Sequence, residues 1–194
     1  MATSEHEIPA ELAKAVEFHG HLCPGLVMGY VASKLGLERI GVERSEDEEL
    51  IAIVENDSCA VDGVQVLAGC TTGKGNLFLR DYGKMVFTFA VRPSGRAVRV
   101  CLKPKTEPNI KQVPEGSQER RDLEIQYMLQ QPADELFSIR EETITLPETA
   151  RIHESALCKL CGEMVMETRT RSVDGSLVCI PCAESSQKKG GKYP

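Results

Sequence analysis

The chain has 194 residues, a net charge of -6, 41% hydrophobic and 27% charged residues, which suits one globular domain and a small appendage. The acidic charge argues against nucleic-acid binding, which needs clustered Lys and Arg. No apolar run reaches the ~20 residues of a membrane span, and the first residues lack a signal-peptide pattern. We therefore expect a cytoplasmic protein with neither a membrane nor a nucleic acid as partner.

The first third of the chain predicts helices around one buried strand. "IPAELAKAVEF" has apolar residues at helical spacing, and "PGLVMGYVASKLGL" predicts a second helix with Pro24 in its first turn and Gly36 at its end. "LIAIVEN" predicts a buried strand. "DSCAVDGVQVLAG" then predicts a third helix, capped by Asp57 or Ser58.

The middle of the chain predicts a sheet. After the glycine-rich loop "GCTTGKGNLFLRDYGK", the runs "MVFTFAV" and "RAVRVCL" predict a β-hairpin joined by "RPSG". "SQERRDLEIQYMLQ" predicts a fourth helix ended by Pro132, and "LFSIREETI" a further strand. The predicted fold is α+β, with an antiparallel sheet packed with helices over residues 1–147 and a small domain over 148–194.

Four cysteines form two Cys-x2-Cys pairs near the C-terminus, with seventeen residues between them: Cys158, Cys161, Cys179 and Cys182. This spacing is typical of structural four-cysteine zinc sites. The intervening residues predict a hairpin around Asp174-Gly175, and a helix begins at the second pair, which is the order of a treble clef. Two disulfides, unrelated thiols or a rubredoxin-like iron site are the alternatives to zinc.

The stretch "FHGHLCPG" places His19, His21 and Cys23 on alternate positions, directly before the second predicted helix. If these residues are extended, their side chains project to the same side. A thiol at a helix N-terminus has a lowered pKa, and Cys59 has a comparable setting at the third helix. A mixed Cys/His metal site with an open fourth position would be of the catalytic type.

The alternative for this stretch is structural. The two histidines would cap the first helix, and Cys23 and Cys59 would be small buried hydrophobes. Cys101 alternates within a strand pattern, so we expect it in the core. "GCTTGKGN" could hold an anion with backbone N–H groups and Lys74, but its spacing differs from a nucleotide P-loop.

The motif "FHGHLCPGLVMGY" followed by "CAVDGVQVLAGCTTGKGNL" resembles the FmdE-like family, named for the FmdE component of formylmethanofuran dehydrogenase, over about residues 10–140. The C-terminal module resembles an auxiliary treble-clef zinc finger found in some members. The resemblance implies a dimer-forming α+β core and a site where the two motifs meet. Its candidate residues are His19, His21, Cys23, Cys59, Asp62, Gln65, Cys70, Lys74 and Asn76.

The resemblance also implies roles for these residues. A divalent metal, expected to be zinc, would be held by some of His21, Cys23 and Cys59, with His19 as an alternative ligand or proton carrier. Asp62 would orient a ligating histidine, and Lys74 would stabilise a developing negative charge or bind an anionic substrate. The catalytic candidates are accordingly His19, Cys23, Cys59, Asp62 and Lys74.

The resemblance leaves two functional hypotheses open. The reduction of CO2 belongs to a molybdenum or tungsten pterin component, which this chain is not, so an accessory role in one-carbon or redox metabolism is expected. One hypothesis is a metal- or thiol-dependent small-molecule enzyme or metal-handling factor. The other is a non-catalytic homodimeric scaffold whose zinc finger binds a partner enzyme subunit. An open coordination position facing a pocket would distinguish the enzyme. A zinc-finger transcription factor would leave the first motif unexplained.

Overall fold

The computed structural model describes residues 8–104, 108 and 110–187. Its helices are α1 (Ala10–His19), α2 (Pro24–Ile40), α3 (Ala60–Ala68), α4 (Gln118–Gln130), α5 (Ala133–Leu136) and α6 (Ile180–Gln187). Its strands are β1 (Leu50–Val54), β2 (Leu77–Leu79), β3 (Val86–Val91), β4 (Arg96–Leu102), β5 (Phe137–Thr143), β6 (Ser155–Leu157), β7 (Met164–Met166), β8 (Thr170–Val173) and β9 (Ser176–Cys179). The chain divides into two compact units after Ala150. None of the described helices is long and apolar enough to cross a membrane.

The first unit is an α+β core built on a five-stranded sheet in the order β2-β1-β3-β4-β5. The predicted fold class is therefore confirmed, and the hairpin of β3 and β4 lies where the sequence placed it. The sheet differs from the prediction at one edge, because β2 pairs with β1 in parallel. This three-residue strand lies inside the glycine-rich loop, where the sequence predicts no strand.

Alternate residues of β1 supply two apolar clusters, one on each face of the sheet. Leu50, Ala52 and Val54 belong to the main core, which also includes apolar side chains of α1 to α5. Ile51 and Ile53 belong to a second cluster, against which Phe78, Ile144 and Leu146 pack. Both faces are covered, which explains why β1 is apolar throughout rather than alternating.

Two helix boundaries differ from the sequence prediction. Helix α2 continues through Gly36 to Ile40 and ends at Gly41, whose φ of 72° is left-handed. Gly36 is needed for packing rather than termination, because a Cβ there would overlap the ring of Phe89. The N-cap of α3 is Cys59 rather than Asp57 or Ser58.

Helices α2 and α3 cross with their backbones in contact, and this crossing positions the first motif beside the second. A Cβ at Gly29 would overlap the carbonyl oxygen of Ala60, and a Cβ at Gly63 would lie 2.9 Å from the carbonyl carbon of Gly29. The first residues of both helices are consequently close together, which brings Cys23 towards Cys59.

The second unit contains two short antiparallel hairpins, β6–β7 and β8–β9, followed by α6. Asp174 and Gly175 both have positive φ, 47° and 73°, in the tight turn between β8 and β9. This is the backbone that a two-residue type I′ hairpin requires. Knuckle, hairpin and helix follow in the predicted treble-clef order.

Candidate metal centre

His19, His21 and Cys23 converge at the junction of α1 and α2. One ligand atom from each lies within 4.8 Å of the others. His19 is the last residue of α1, Gly20 ends that helix with a φ of 94°, and Cys23 is the extended N-cap of α2. The convergence thus arises from a helix end, a left-handed glycine and a cap, and not from a continuous extended segment.

The imidazole of His19 is oriented by a carboxylate on α3. Its Nδ1 donates to Asp62 Oδ2 over 2.7 Å, and the Nε2 of the same ring lies 3.8 Å from Cys23 Sγ. Gln65 Nε2 donates to the other carboxylate oxygen of Asp62 over 3.0 Å. Because the carboxylate is an acceptor, Nδ1 carries a proton, and in the neutral imidazole the Nε2 lone pair then faces the thiol. A carboxylate on the outer nitrogen is the usual partner of a metal-ligating histidine.

Cys23 and Cys59 lie side by side at the starts of their helices. The Sγ of Cys23 accepts from the backbone N–H of Leu26 over 3.4 Å. Burial, followed by the neighbouring Cys23 thiol, raises the pKa of Cys59. Burial and the second thiol thus favour the protonated form of Cys59, which opposes the thiolate that a helix N-terminus favours.

The geometry of the three converging residues, which we call the core cluster, fits a divalent metal. Zinc bonds of about 2.3 Å to sulfur and 2.0–2.1 Å to nitrogen, at a tetrahedral angle, place sulfur and nitrogen roughly 3.6 Å apart. The separation of Cys23 Sγ and His19 Nε2 is 3.8 Å. Cys59 is not a member of this converging group. The geometry therefore brings His19, in place of Cys59, together with His21 and Cys23.

A cleft of about 550 Å³ lies beside the core cluster. Its lining includes His19, Cys59, Asp62 and Gln65, together with Val54, Asp57, Ser58, Val61, Thr72, Leu77 and Leu79. The sequence reasoning missed Asp57 as a lining residue, because it was considered only as a helix cap. It also missed Leu77 and Leu79, although their apolar spacing in "NLFLR" was a signal for β2.

The other residues of the second motif hold the loops in place. Lys74 Nζ donates to the carbonyl oxygens of Ser45 and Glu46, each over 3.2 Å, and Lys74 is not among the described residues that line the cleft. Asn76 is fully buried and its amide bonds to the carbonyl oxygens of Asp47 and Leu50. These hydrogen bonds account for the positions of Lys74 and Asn76, so neither side chain needs a catalytic role to explain it.

The remaining cysteines of the core differ in environment. Burial raises the pKa of Cys70 to about 12, so this thiol is inert near neutral pH. Cys101 lies on β4 but is only half-buried and is not among the described core residues, so the expectation that it belongs to the core is wrong. A larger groove of about 1290 Å³ is lined by residues of α2 and α4 and by neighbouring residues such as Leu22, but neither His nor Cys is among its described lining residues.

The second unit holds Cys158, Cys161, Cys179 and Cys182 with their sulfur atoms within 4.8 Å of one another. Cys161 Sγ lies 3.9 Å from Cys179 Sγ, close to the roughly 3.8 Å edge of a tetrahedron with zinc–sulfur bonds of about 2.3 Å. Backbone N–H groups, that of Cys161 foremost, lower the pKa of Cys158 to about 6. None of the eight cysteines is disulfide-bonded in the described part of the chain, and the four sulfurs fit one structural zinc ion.

Comparison with known proteins identifies both units. Residues 18–145, well over half of the chain, match the family described as FmdE, molybdenum formylmethanofuran dehydrogenase operon. Residues 151–188 match the prokaryotic dksA/traR C4-type zinc finger. These matches confirm the resemblance stated from the two motifs and the four-cysteine spacing.

Two similar proteins extend the comparison. The chain is 32% identical over 210 residues to a protein of Archaeoglobus fulgidus named a probable S-adenosyl-L-methionine-binding protein. That alignment covers 95% of this chain and 55% of the relative, so the chain spans about half of the relative's length.

A solved structure is similar over nearly the whole chain. It is a tungsten formylmethanofuran dehydrogenase FmdE-like protein from Syntrophus aciditrophicus, with a TM-score of 0.66, 21% identity, and coverage of 94% of this chain and 92% of that one. At this identity the likeness shows the fold. From the family match, the chain belongs to the FmdE family and carries a C4-type zinc finger.

Proposed function

We propose that this protein holds a divalent metal, zinc, at His19, His21 and Cys23, in addition to the structural zinc of its C-terminal finger. The observation that carries the proposal is the convergence of the three ligand atoms within 4.8 Å, with Asp62 bonded to the outer nitrogen of His19. When bound, the metal would supply a Lewis acid beside the cleft. Asp62 would fix the tautomer of His19 and raise its basicity as a ligand.

Of the two functional hypotheses, the enzyme or metal-handling factor with an open coordination position is better supported than the scaffold with a filled one. The converging group among the described residues has three members, and a cleft lies beside it. Three protein ligands with a free position are typical of catalytic zinc, whereas a scaffold would fill the fourth position. Cys59 lines the cleft next to this position and is available to a bound molecule as a thiol.

Membership of the FmdE family supports an accessory role in one-carbon or redox metabolism of the formylmethanofuran dehydrogenase type. We further propose that the protein is a homodimer, as the family resemblance implies, and that its zinc finger binds a partner enzyme subunit. A reducing, cytoplasmic location suits eight cysteines that form no disulfide in the described part of the chain.

A cobalt-substituted full chain tests the metal proposal and separates the two hypotheses. In Cys23→Ala only the zinc finger should bind cobalt. Subtracting the absorption spectrum of this variant from that of wild type therefore leaves the spectrum of the core site. We expect a core spectrum that changes when imidazole, a neutral ligand, is added. A core spectrum that imidazole leaves unchanged would favour the closed scaffold, and no difference spectrum would contradict the core site altogether.

Cys101→Ala is the matched control for this experiment. It removes a half-buried thiol of the same unit that lies outside the core cluster. Its spectrum should equal that of wild type. A loss of signal in this variant as well would indicate a general effect of cysteine removal on the fold.

A second candidate function is binding of S-adenosyl-L-methionine. It is favoured by the Archaeoglobus fulgidus relative of that name, whose alignment covers 95% of this chain. Isothermal titration of the full chain with S-adenosyl-L-methionine tests it, and the absence of binding heat at millimolar ligand would contradict it.

A further inference from the structure

The charged residues that line the cleft beside the core cluster are acidic. Among the described lining residues these are Asp57 and Asp62, with no Lys or Arg. Both oxygens of Asp62 are engaged, by His19 and by Gln65. Asp57 is exposed, and its carboxylate makes no hydrogen bond or ion pair within the described part of the chain. One carboxylate is therefore available to a molecule in the cleft.

The metal proposed for the core cluster does not reverse this charge. A divalent ion with two neutral imidazoles and one thiolate carries a net charge of +1, which the carboxylate of Asp62 offsets. Among the charged residues that line the cleft, Asp57 is then the one whose charge is not offset by a neighbour. An opposite charge near a carboxylate is attracted and a like charge is repelled.

Three backbone donors that could hold an anion at the start of α3 are already used. Ser58 Oγ accepts from the N–H of Ala60 over 3.3 Å, and the carbonyl oxygen of Ser58 accepts from Val61 over 3.0 Å. The N–H of Asp62 donates to Cys59 over 3.2 Å. A helix N-terminus binds anions through free N–H groups, and here these groups are bonded to the preceding residues.

One wall of the cleft is apolar. Val61 on α3 and Leu77 and Leu79 on the edge strand β2 line it, and Leu79 has 58% of its surface exposed. An exposed leucine beside polar groups gains free energy when an alkyl chain covers it. The cleft of about 550 Å³ thus combines apolar side chains with a free carboxylate, and His19, one of the three proposed metal ligands, lies on its lining.

We propose that the cleft takes a small molecule with a cationic hydrogen-bond-donating group and a short apolar chain, and that it discriminates against anions. The cationic group lies against Asp57, and the chain covers Leu77 and Leu79. This inference deepens the proposed function, since the molecule is the one that approaches the core metal. The proposed ligand is cationic, whereas the sequence suggested an anionic substrate for Lys74. The ammonium group of Lys74 faces backbone carbonyls instead.

Three probes with the same butyl chain test the proposal: butylguanidinium, pentanamide and pentanoate. A guanidinium keeps its charge at all accessible pH values and does not ligate metals. Methyl NMR of the zinc-loaded full chain reports where each probe binds, through Val61, Leu77 and Leu79. We expect butylguanidinium to bind about threefold to tenfold more tightly than pentanoate, with pentanamide between them, as for one exposed carboxylate.

Asp57→Asn and Asp122→Asn form a matched pair of variants. Asp57→Asn should remove most of this preference of about threefold to tenfold for the cation. Asp122 lies on the larger groove between α2 and α4, so Asp122→Asn should leave the preference intact. Methyl shifts at Leu123, which lines that groove, would instead place the cation there and overturn the proposal.

Equal or tighter binding of pentanoate would also overturn the proposal, as would an Asp57→Asn variant with the wild-type preference. Metal content measured on the same samples separates this inference from the proposed function. If the core metal is present but pentanoate is preferred over butylguanidinium, the proposed ligand class is contradicted and the metal site is not. If the core metal is absent but the preference for butylguanidinium remains, the metal site is contradicted and the ligand class is supported.

Discussion

Replacing Gly29 by alanine should destabilise the core and disturb the core cluster together. The added Cβ would overlap the carbonyl oxygen of Ala60 and lie 2.7 and 2.8 Å from the carbon and Cα atoms of the same residue. These are backbone atoms in a helix, so the strain cannot be relieved by a side-chain rotation. Forcing the helices apart should cost about 3 kcal/mol, and the better helix propensity of alanine returns about 1 kcal/mol.

The net loss of about 2 kcal/mol corresponds to a fall of roughly 4–8 °C in Tm for a unit of this size. Because α2 begins after Cys23 and α3 after Cys59, the same shift should weaken metal binding at the core cluster. Circular dichroism melting and metal content of the full chain measure both effects. Gly73→Ala is the control, since nothing lies within 4 Å of its added Cβ.

An unchanged Tm in Gly29→Ala would refute the reasoning from the helix crossing. A lowered Tm with normal metal content would keep the packing argument and refute the link between the crossing and the site. Gly73→Ala should melt at the wild-type temperature or slightly above it, because alanine restricts the unfolded chain.

Three further predictions concern single side chains. Asp62→Ala should weaken core metal binding about 10- to 100-fold in a chelator competition, because His19 loses the acceptor at Nδ1; unchanged affinity would show that the hydrogen bond does not orient a ligand. Cys158→Ser should release the zinc of the finger and unfold the second unit, since a unit of this size has little core of its own; resistance to protease at wild-type level would contradict this. Cys70 should escape thiol reagents at pH 8 until the chain is denatured, because burial raises its pKa to about 12. Because the pKa of Cys70 is higher in the folded chain than its ordinary value of about 9 in the unfolded chain, the folded state should lose stability as the pH rises from about 9 towards 12. Cys70→Val should reduce this loss of stability at alkaline pH.

Those parts of the structure that depend on local spacing were predictable from the sequence. The two Cys-x2-Cys pairs and the Asp174-Gly175 turn are short-range patterns with one geometric solution, and the zinc finger follows from them. The proximity of His19, His21 and Cys23 was likewise predictable, although its cause is a helix end rather than an extended segment.

Features that depend on tertiary contacts were not predictable. Gly36 reads as a helix end, but the ring of Phe89 packs where its side chain would be, so the helix continues. The ammonium group of Lys74 reads as an anion-binding group until the loop carbonyls of Ser45 and Glu46 meet it. The raised pKa of Cys59 depends on burial and on Cys23, which is 36 positions away along the chain (59 minus 23).

Family membership and the chemistry proposed for the core site rest on different observations. Membership of the FmdE family and the zinc finger rest on matches to known sequences. The chemistry proposed for the core rests on the contacts among His19, Asp62 and Cys23 and on the adjoining cleft. A fold hosts many functions, so the site has to be tested directly.

Elemental analysis of the full chain tests the central claim most directly, with wild type, Cys23→Ala and Cys158→Ser measured side by side. A core metal beside the structural zinc predicts about two metal ions per chain in wild type and about one in each variant. About one ion in both wild type and Cys23→Ala, with none in Cys158→Ser, would contradict it. The finger would then be the metal site, and His19, His21 and Cys23 would serve the fold or thiol chemistry.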